Sequence, residues 1–246
     1  MTQMVSVEQV GQRFGSHLLY ADVSFTVESG EVFAILGGSG CGKSTLQRQM
    51  VGLLRPSAGT VRVLGQDMYG PSNDQLTRIG VMFQSGALFG SMSLLENVML
   101  PLSLHTELPA DARAEIARVK LGLVGLAEAA ALRPSEISGG MAKRCAIARA
   151  MALDPPLLFL DEPSAGLDPI TAAGLDRLIL DLCHEMAITF VLVTHDLASI
   201  LSIVDRCVML DATSKGMIAQ GNPRTLRDDD ANPVVHAFFH RAMLPK

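Results

Sequence analysis

Val32-Phe33-Ala34-Ile35-Leu36 is an unbroken apolar run, and Gly37-Gly38-Ser39-Gly40-Cys41-Gly42-Lys43-Ser44 follows it at once. An apolar run without polar alternation suits a strand buried on both faces. The glycines then require a tight turn, and a helix is expected from Lys43 to about Leu53. Strand, turn and helix in this order are the context in which G-x-x-x-x-G-K-[ST] reads as a phosphate-binding loop. Backbone N–H groups of such a loop converge on a phosphate, and the helix N-terminus adds the positive end of its dipole. Lys43 is expected to reach the β- and γ-phosphates of ATP, with Ser44 a ligand for Mg²⁺ and Thr45 completing the loop.

A second apolar run, Leu157 to Leu160, ends in Asp161-Glu162, and a third, Ile188 to Val193, ends at Thr194-His195. The C-terminal tips of such strands are where ligands bind in open α/β sheets. Asp161 is expected to hold the Mg²⁺, leaving Glu162 to orient or deprotonate the attacking water. Strands separated by helical stretches predict an α/β fold with a mainly parallel sheet covered by helices on both faces. Val5 to Val10 and Val23 to Val27 predict short strands in a β-rich start, with a turn at Ser29-Gly30. From Met92 to Asp154 the pattern turns helix-rich, with helices expected over Ala110 to Leu121 and from Gly139 or Gly140.

Composition narrows the function. A chain of 246 residues, 48% hydrophobic, can bury a substantial core, and a net charge of -5 gives no basic footprint for nucleic acid. Cys41, Cys145, Cys183 and Cys207 form no CxxC pair and read as reduced thiols. No basic residue precedes Arg13 and no apolar block follows it, so no secretory signal is expected. No apolar stretch is long enough to span a membrane, so any membrane role is expected to work through a separate chain.

Ile137-Ser138-Gly139-Gly140-Met141 resembles the signature motif of the nucleotide-binding subunits of ABC transporters, usually LSGGQ. The resemblance runs from about Met4 to Gln220. It implies a P-loop NTPase core of RecA-like, ABC type, over residues 1–88 and 155–222, with a β-rich N-terminal part. The helical subdomain is expected over 89–154 and a C-terminal extension over 223–246. It also implies that Gln84 senses metal and couples to the membrane partner, that Asp168 bridges subunits, that His195 contacts the γ-phosphate and that Phe14 stacks on adenine. Ser138, Gly139, Gly140 and Met141 would then contact the γ-phosphate bound by a second copy of the chain. A GTPase would need a guanine-reading NKxD segment, which is absent; a small-molecule kinase would need neither the signature nor His195.

Gln84-Ser85-Gly86-Ala87-Leu88-Phe89, Glu96-Asn97-Val98 and Met141-Ala142-Lys143-Arg144 look like the ATPases of Mla-type and Mce-associated lipid systems. That resemblance implies phospholipid traffic between bacterial inner and outer membranes, from the cytoplasmic face of the inner one. The partners it implies are integral membrane permease subunits, an Mce-domain lipid-binding protein and a small accessory subunit. Another ABC importer or exporter, or a soluble ABC ATPase of DNA repair or translation, is the alternative. Val234-Val235 and Phe238-Phe239 would form an apolar stripe on a terminal helix after Asp228-Asp229-Asp230, to pack either on the chain's own core or, as the resemblance favours, on the second ATPase or an accessory chain.

Overall fold

The computed structural model describes residues 2–70, 74–229 and 231–242. Asp230 and residues 243–246 of the expected extension lie outside the described residues. In chain order the elements are β1 (Gln3–Phe14), β2 (His17–Glu28), β3 (Val32–Gly37), α1 (Lys43–Met50), β4 (Ala58–Val63), β5 (Gln66–Asp67) and β6 (Ile79–Met82). They continue with α2 (Leu94–His105), α3 (Ala110–Leu123), α4 (Gly139–Ala150), β7 (Leu157–Asp161), α5 (Pro169–Met186) and β8 (Thr189–Val193). The chain closes with α6 (Leu197–Ile203), β9 (Arg206–Asp211), β10 (Gly216–Gly221), α7 (Pro223–Arg227) and α8 (Pro233–His240).

The main sheet runs β10-β9-β3-β8-β7-β6. All its pairs are parallel except that of β10 with β9. Side-chain alternation splits each central strand between two cores. From β3, Val32, Ala34 and Leu36 face one core, while Phe33 and Ile35 face the other. In β7, Leu158 and Leu160 likewise oppose Leu157 and Phe159; in β8, Phe190 and Leu192 oppose Val191 and Val193. One core takes residues from α2, α3, α4, α5 and α6. The other is closed by α1 and by an antiparallel sheet of order β2-β1-β4-β5.

The expected strands over 5–10 and 23–27 are longer than their apolar runs. The β1–β2 pairing continues past Val10 through register shifts to Phe14 opposite His17. The expected helix from Lys43 stops at Met50, where the chain turns back and the Leu53 N–H donates to the Arg48 carbonyl (2.8 Å). Between the sheets' strands, α2 begins with a reciprocal cap. Ser93 Oγ accepts from the Glu96 N–H, and the Glu96 carboxylate accepts from the Ser93 N–H. Asn97, wholly buried, ties the preceding loop with bonds to both backbone groups of Phe89 and to the Met92 and Ser93 carbonyls.

Of the two readings of the terminal stripe, packing on the chain's own core is the one observed. Asn232 caps α8 by accepting from the Val234 and Val235 N–H groups, and Val235 and Phe239 enter the chain's own core. Val234 and Phe238 pack against that same core, so the stripe is consumed within the chain. Phe239→Ala is therefore expected to destabilise the isolated chain by about 3 kcal/mol in urea unfolding, and truncation after residue 230 to lower its melting temperature.

Candidate active site

Four adjacent parallel strands deliver the polar groups. β3 ends in the glycine-rich loop, β6 leads to Gln84, β7 to Asp161-Glu162, and β8 to Thr194-His195. A cleft of about 310 Å³ is lined by Leu19, Ser39, Gly40, Gly42, Lys43, Ser44, Thr45, Gln84, Asp161 and Glu162. Gly42 takes a positive φ of 101°, and a Cβ there would stand 2.6 Å from the Tyr20 ring. Glycine is required both for that conformation and for that contact. Tyr20 is wholly buried, and its hydroxyl donates to Gln49 Oε1 (2.8 Å), which fixes β2 beneath the loop helix. Lys43 Nζ donates to the carbonyls of Gly37 and Gly38, both at 2.9 Å.

The two acids have different surroundings. Burial, and next the charge of Glu162, push the Asp161 carboxyl above the ordinary aspartate value, against the opposing charges of Arg48, Lys43 and Lys143. Its Oδ1 is buried and accepts no hydrogen bond from any described residue. A buried carboxylate oxygen without a donor calls for a cation. The hydroxyl of Ser44 and the amide of Gln84 line the same cleft. This oxygen set fits Mg²⁺, which binds through one or two protein groups plus phosphate rather than in an all-protein cage. Consistently, among the described residues no group of three or more His, Cys, Asp or Glu could hold a metal.

Glu162 is held differently. Its φ is +48°, a conformation that costs a non-glycine residue about 1–2 kcal/mol. Its N–H donates to the Val193 carbonyl (2.8 Å), and its own carbonyl accepts from Lys143 Nζ (3.1 Å). Oε1 lies 2.7 Å from His195 Nδ1, so a protonated Nδ1 donates to the carboxylate. The His195 side chain is 71% exposed against 13% for Glu162, so the imidazole reaches in from the open side of the cleft.

Other expected site residues stand apart from this cleft. Gly37, Gly38 and Cys41 form the loop without lining it. Phe14 ends β1, half exposed; Leu19, which the sequence reading missed, supplies the apolar wall. Ser138, Gly139, Gly140 and Met141 form the start of α4, where Ser138 Oγ accepts from the Met141 N–H (3.3 Å). Asp168 caps α5 by accepting from the Ile170 and Thr171 N–H groups at 3.0 Å each; a hydrogen bond from the Thr171 side chain, and next these backbone bonds, hold its carboxyl below the usual range. The two helix starts are in contact: a Cβ on Gly140 would stand 2.4 Å from the Thr171 methyl, and one on Gly139 3.7 Å from Leu167. Beside them Ile170 is 86% exposed.

Because burial disfavours the charged form of Asp161, Asp161→Asn is expected to stabilise the metal-free chain at about pH 8. Its folded-state pKa lies above the unfolded value, so the wild-type penalty is present at high pH and is relieved as pH falls through the folded pKa. The advantage of the variant should accordingly shrink as pH falls, as read by urea unfolding over a descending pH series.

Residues 20–165 match the ABC transporter family. The chain is 40% identical over 237 residues to the intermembrane phospholipid transport system ATP-binding protein MlaF of Escherichia coli K12, covering 95% of this chain and 86% of that one. It is also 40% identical over 242 residues to the probable ribonucleotide transport ATP-binding protein mkl of Mycobacterium tuberculosis H37Rv, covering 96% and 67%. Among solved structures it resembles an ATP-binding cassette described as a dimer in a post-hydrolysis state bound to ADP and Pi. That similarity has a TM-score of 0.78 at 29% identity, over 89% of this chain and 98% of that one. With its glycine-rich loop, paired acids and ISGGM segment, the chain belongs to the ABC transporter family, as an ATP-binding and ATP-hydrolysing cassette.

Proposed function

We propose that this chain energises phospholipid transport between bacterial inner and outer membranes, hydrolysing ATP at the cytoplasmic face of the inner one. The observation that carries the catalytic part is the shared cleft in which Lys43, Ser44 and Asp161 stand beside a Glu162 carboxylate held by His195. Lys43 and the loop N–H groups bind the β- and γ-phosphates. Ser44, Gln84 and Asp161 would hold Mg²⁺, which would neutralise phosphate charge. Glu162 orients the water and takes its proton, and His195 keeps that carboxylate aimed while its exposed ring contacts the γ-phosphate. The products are ADP and inorganic phosphate. The exposed ring of Phe14 suits stacking on the base.

The signature residues and Asp168 do not line the cleft, which supports a two-copy site. The start of α4, capped by the neutral Ser138, is a helix N-terminus suited to phosphate, and the nearby exposed Ile170 suits burial against another protein. A second copy, turned to face the first, brings Ser138 to Met141 and Asp168 over the ATP held by Lys43. No helix of the described residues is long and apolar enough to cross a membrane. The lipid path therefore lies in permease subunits, with an Mce-domain lipid-binding chain and a small accessory subunit completing the assembly. The phospholipid assignment rests on the similarity to MlaF. The equally similar mkl is named for ribonucleotide transport, so co-purified cargo decides between them: bound phospholipid on the permease and Mce chains supports the proposal, and ribonucleotide cargo overturns it.

Lys43→Ala is expected to weaken ATP binding at least about tenfold, since the phosphates lose their main side-chain counter-charge; nucleotide titration reads the change. Glu162→Gln should bind ATP but hydrolyse it about 100-fold or more slowly. With ATP and Mg²⁺ it should elute as a dimer on size exclusion where the wild type does not persist as one. An inactive variant that stays monomeric even with its permease would refute the two-copy site.

A further inference from the structure

Lys143 lies on α4, just beyond the Ser138-Gly139-Gly140-Met141 start, at 8% exposure. Its Nζ donates to two main-chain oxygens from different parts of the site, the Gln84 carbonyl at 2.5 Å and the Glu162 carbonyl at 3.1 Å. Burial pushes its ammonium below the ordinary lysine value, and the nearby charges of Glu162 and Asp161 only partly oppose that. A cation buried at this cost and bonded to carbonyls, not carboxylates, fixes backbone position more than it neutralises charge.

Glu162 is the place where such fixing matters. A residue with a Cβ stays at φ +48° only where its surroundings over-determine it. The described main-chain bonds that do so are the donation to Val193 and, at the Glu162 carbonyl, the acceptances from Lys143 Nζ and from the Ala165 N–H (3.2 Å). The Ala165 bond closes only a local turn that moves with Glu162, so without Lys143 the backbone can relax toward an ordinary conformation and carry the carboxylate off His195. Farther along α4, Arg149 donates to the carbonyls of Ala87 and Gly86, both at 2.7 Å. One helix thus grips the Gln84 loop at several carbonyls and Glu162 at another.

We propose that Lys143 is a positioning residue for hydrolysis, tying the helix that begins at Ser138 to the backbones of Gln84 and Glu162 so that all three move together. A displacement of the start of α4 then reaches the carboxylate that activates water. The inference rests on the reading of Glu162 as the catalytic base.

The test uses the full chain, with steady-state ATPase kinetics, titration with a fluorescent ATP analogue and thermal melting, on Lys143→Met, Lys143→Arg and Glu162→Gln. Lys143→Met fills the volume but donates nothing, so kcat should fall about 10- to 100-fold, the size of loss that a small misplacement of a catalytic group produces. Nucleotide Kd should stay within about twofold, since the phosphate loop is untouched. Lys143→Arg keeps donors toward both carbonyls and should recover most of kcat. The proposal is overturned if Lys143→Met keeps wild-type kcat, if the arginine variant falls as far as the methionine one, or if Kd worsens in step with kcat. Should Lys143→Met not fold, Lys143→Gln carries the test, because its shorter amide reaches one carbonyl at most; wild-type kcat there also overturns the tether. Glu162→Gln separates the two levels. If that variant hydrolyses normally, the parent reading fails, whereas if it is inactive and Lys143→Met is fully active, only the tether fails.

Discussion

Burial of the central strands on both faces is the constraint from which the rest follows. A strand with apolar side chains above and below can release polar groups only at its ends. Because β3, β8, β7 and β6 are adjacent and parallel, their C-terminal ends lie along a single edge. At a strand spacing of about 4.8 Å, four such ends span about 15 Å. The glycine loop, His195, Asp161-Glu162 and Gln84 all emerge within that width. Their proximity is a product of the two cores, since each strand is held in register by Leu, Val, Ile and Phe side chains facing opposite ways.

The site is then made of groups held away from their lowest local energy. Asp161 is ionised where burial disfavours charge, Lys143 is buried as a cation, and Glu162 sits in a left-handed conformation. Each departure is affordable because a well-packed layer lies directly behind it: Phe159 and Leu160 of β7, Val193 of β8 and the Ala146-Ile147 face of α4 are wholly or almost wholly buried. Stability given up at the tip of the sheet is recovered in its interior, the usual trade between function and stability.

Much of this could be read in the chain. Val32 to Leu36 and Leu157 to Leu160 announce strands because two-sided burial removes polar alternation, and the residues after them announce chemistry because a glycine-rich GKS loop and an acid pair follow them directly. The edges were harder. Pro101 interrupts the helical pattern of α2, whose start rests on the Ser93–Glu96 cap. The Asp168 cap with Pro169 at the first helical position was a legible start for the long α5, though it was read only for its family role. The fate of the Val234 to Phe239 stripe depended on which surface lay nearest, which periodicity does not encode. Lys143 had a signal that went unused: helical spacing sets it on one stripe with Gly140 and Ile147, both buried. A lysine on an inward stripe must have partners.

Lys43 is bonded to the carbonyls of Gly37 and Gly38, two acceptors on its own loop. An arriving phosphate must therefore compete for an ammonium that already has partners, and the net gain is the difference between two sets of bonds. Such exchange compresses affinity, so a lone phosphate or sulfate gains little, while a nucleotide that recruits the rest of the cleft gains more. After hydrolysis the same carbonyls are at hand to take the ammonium back as phosphate departs. With Lys43 as the phosphate-binding residue proposed above, its return partners are already in the main chain.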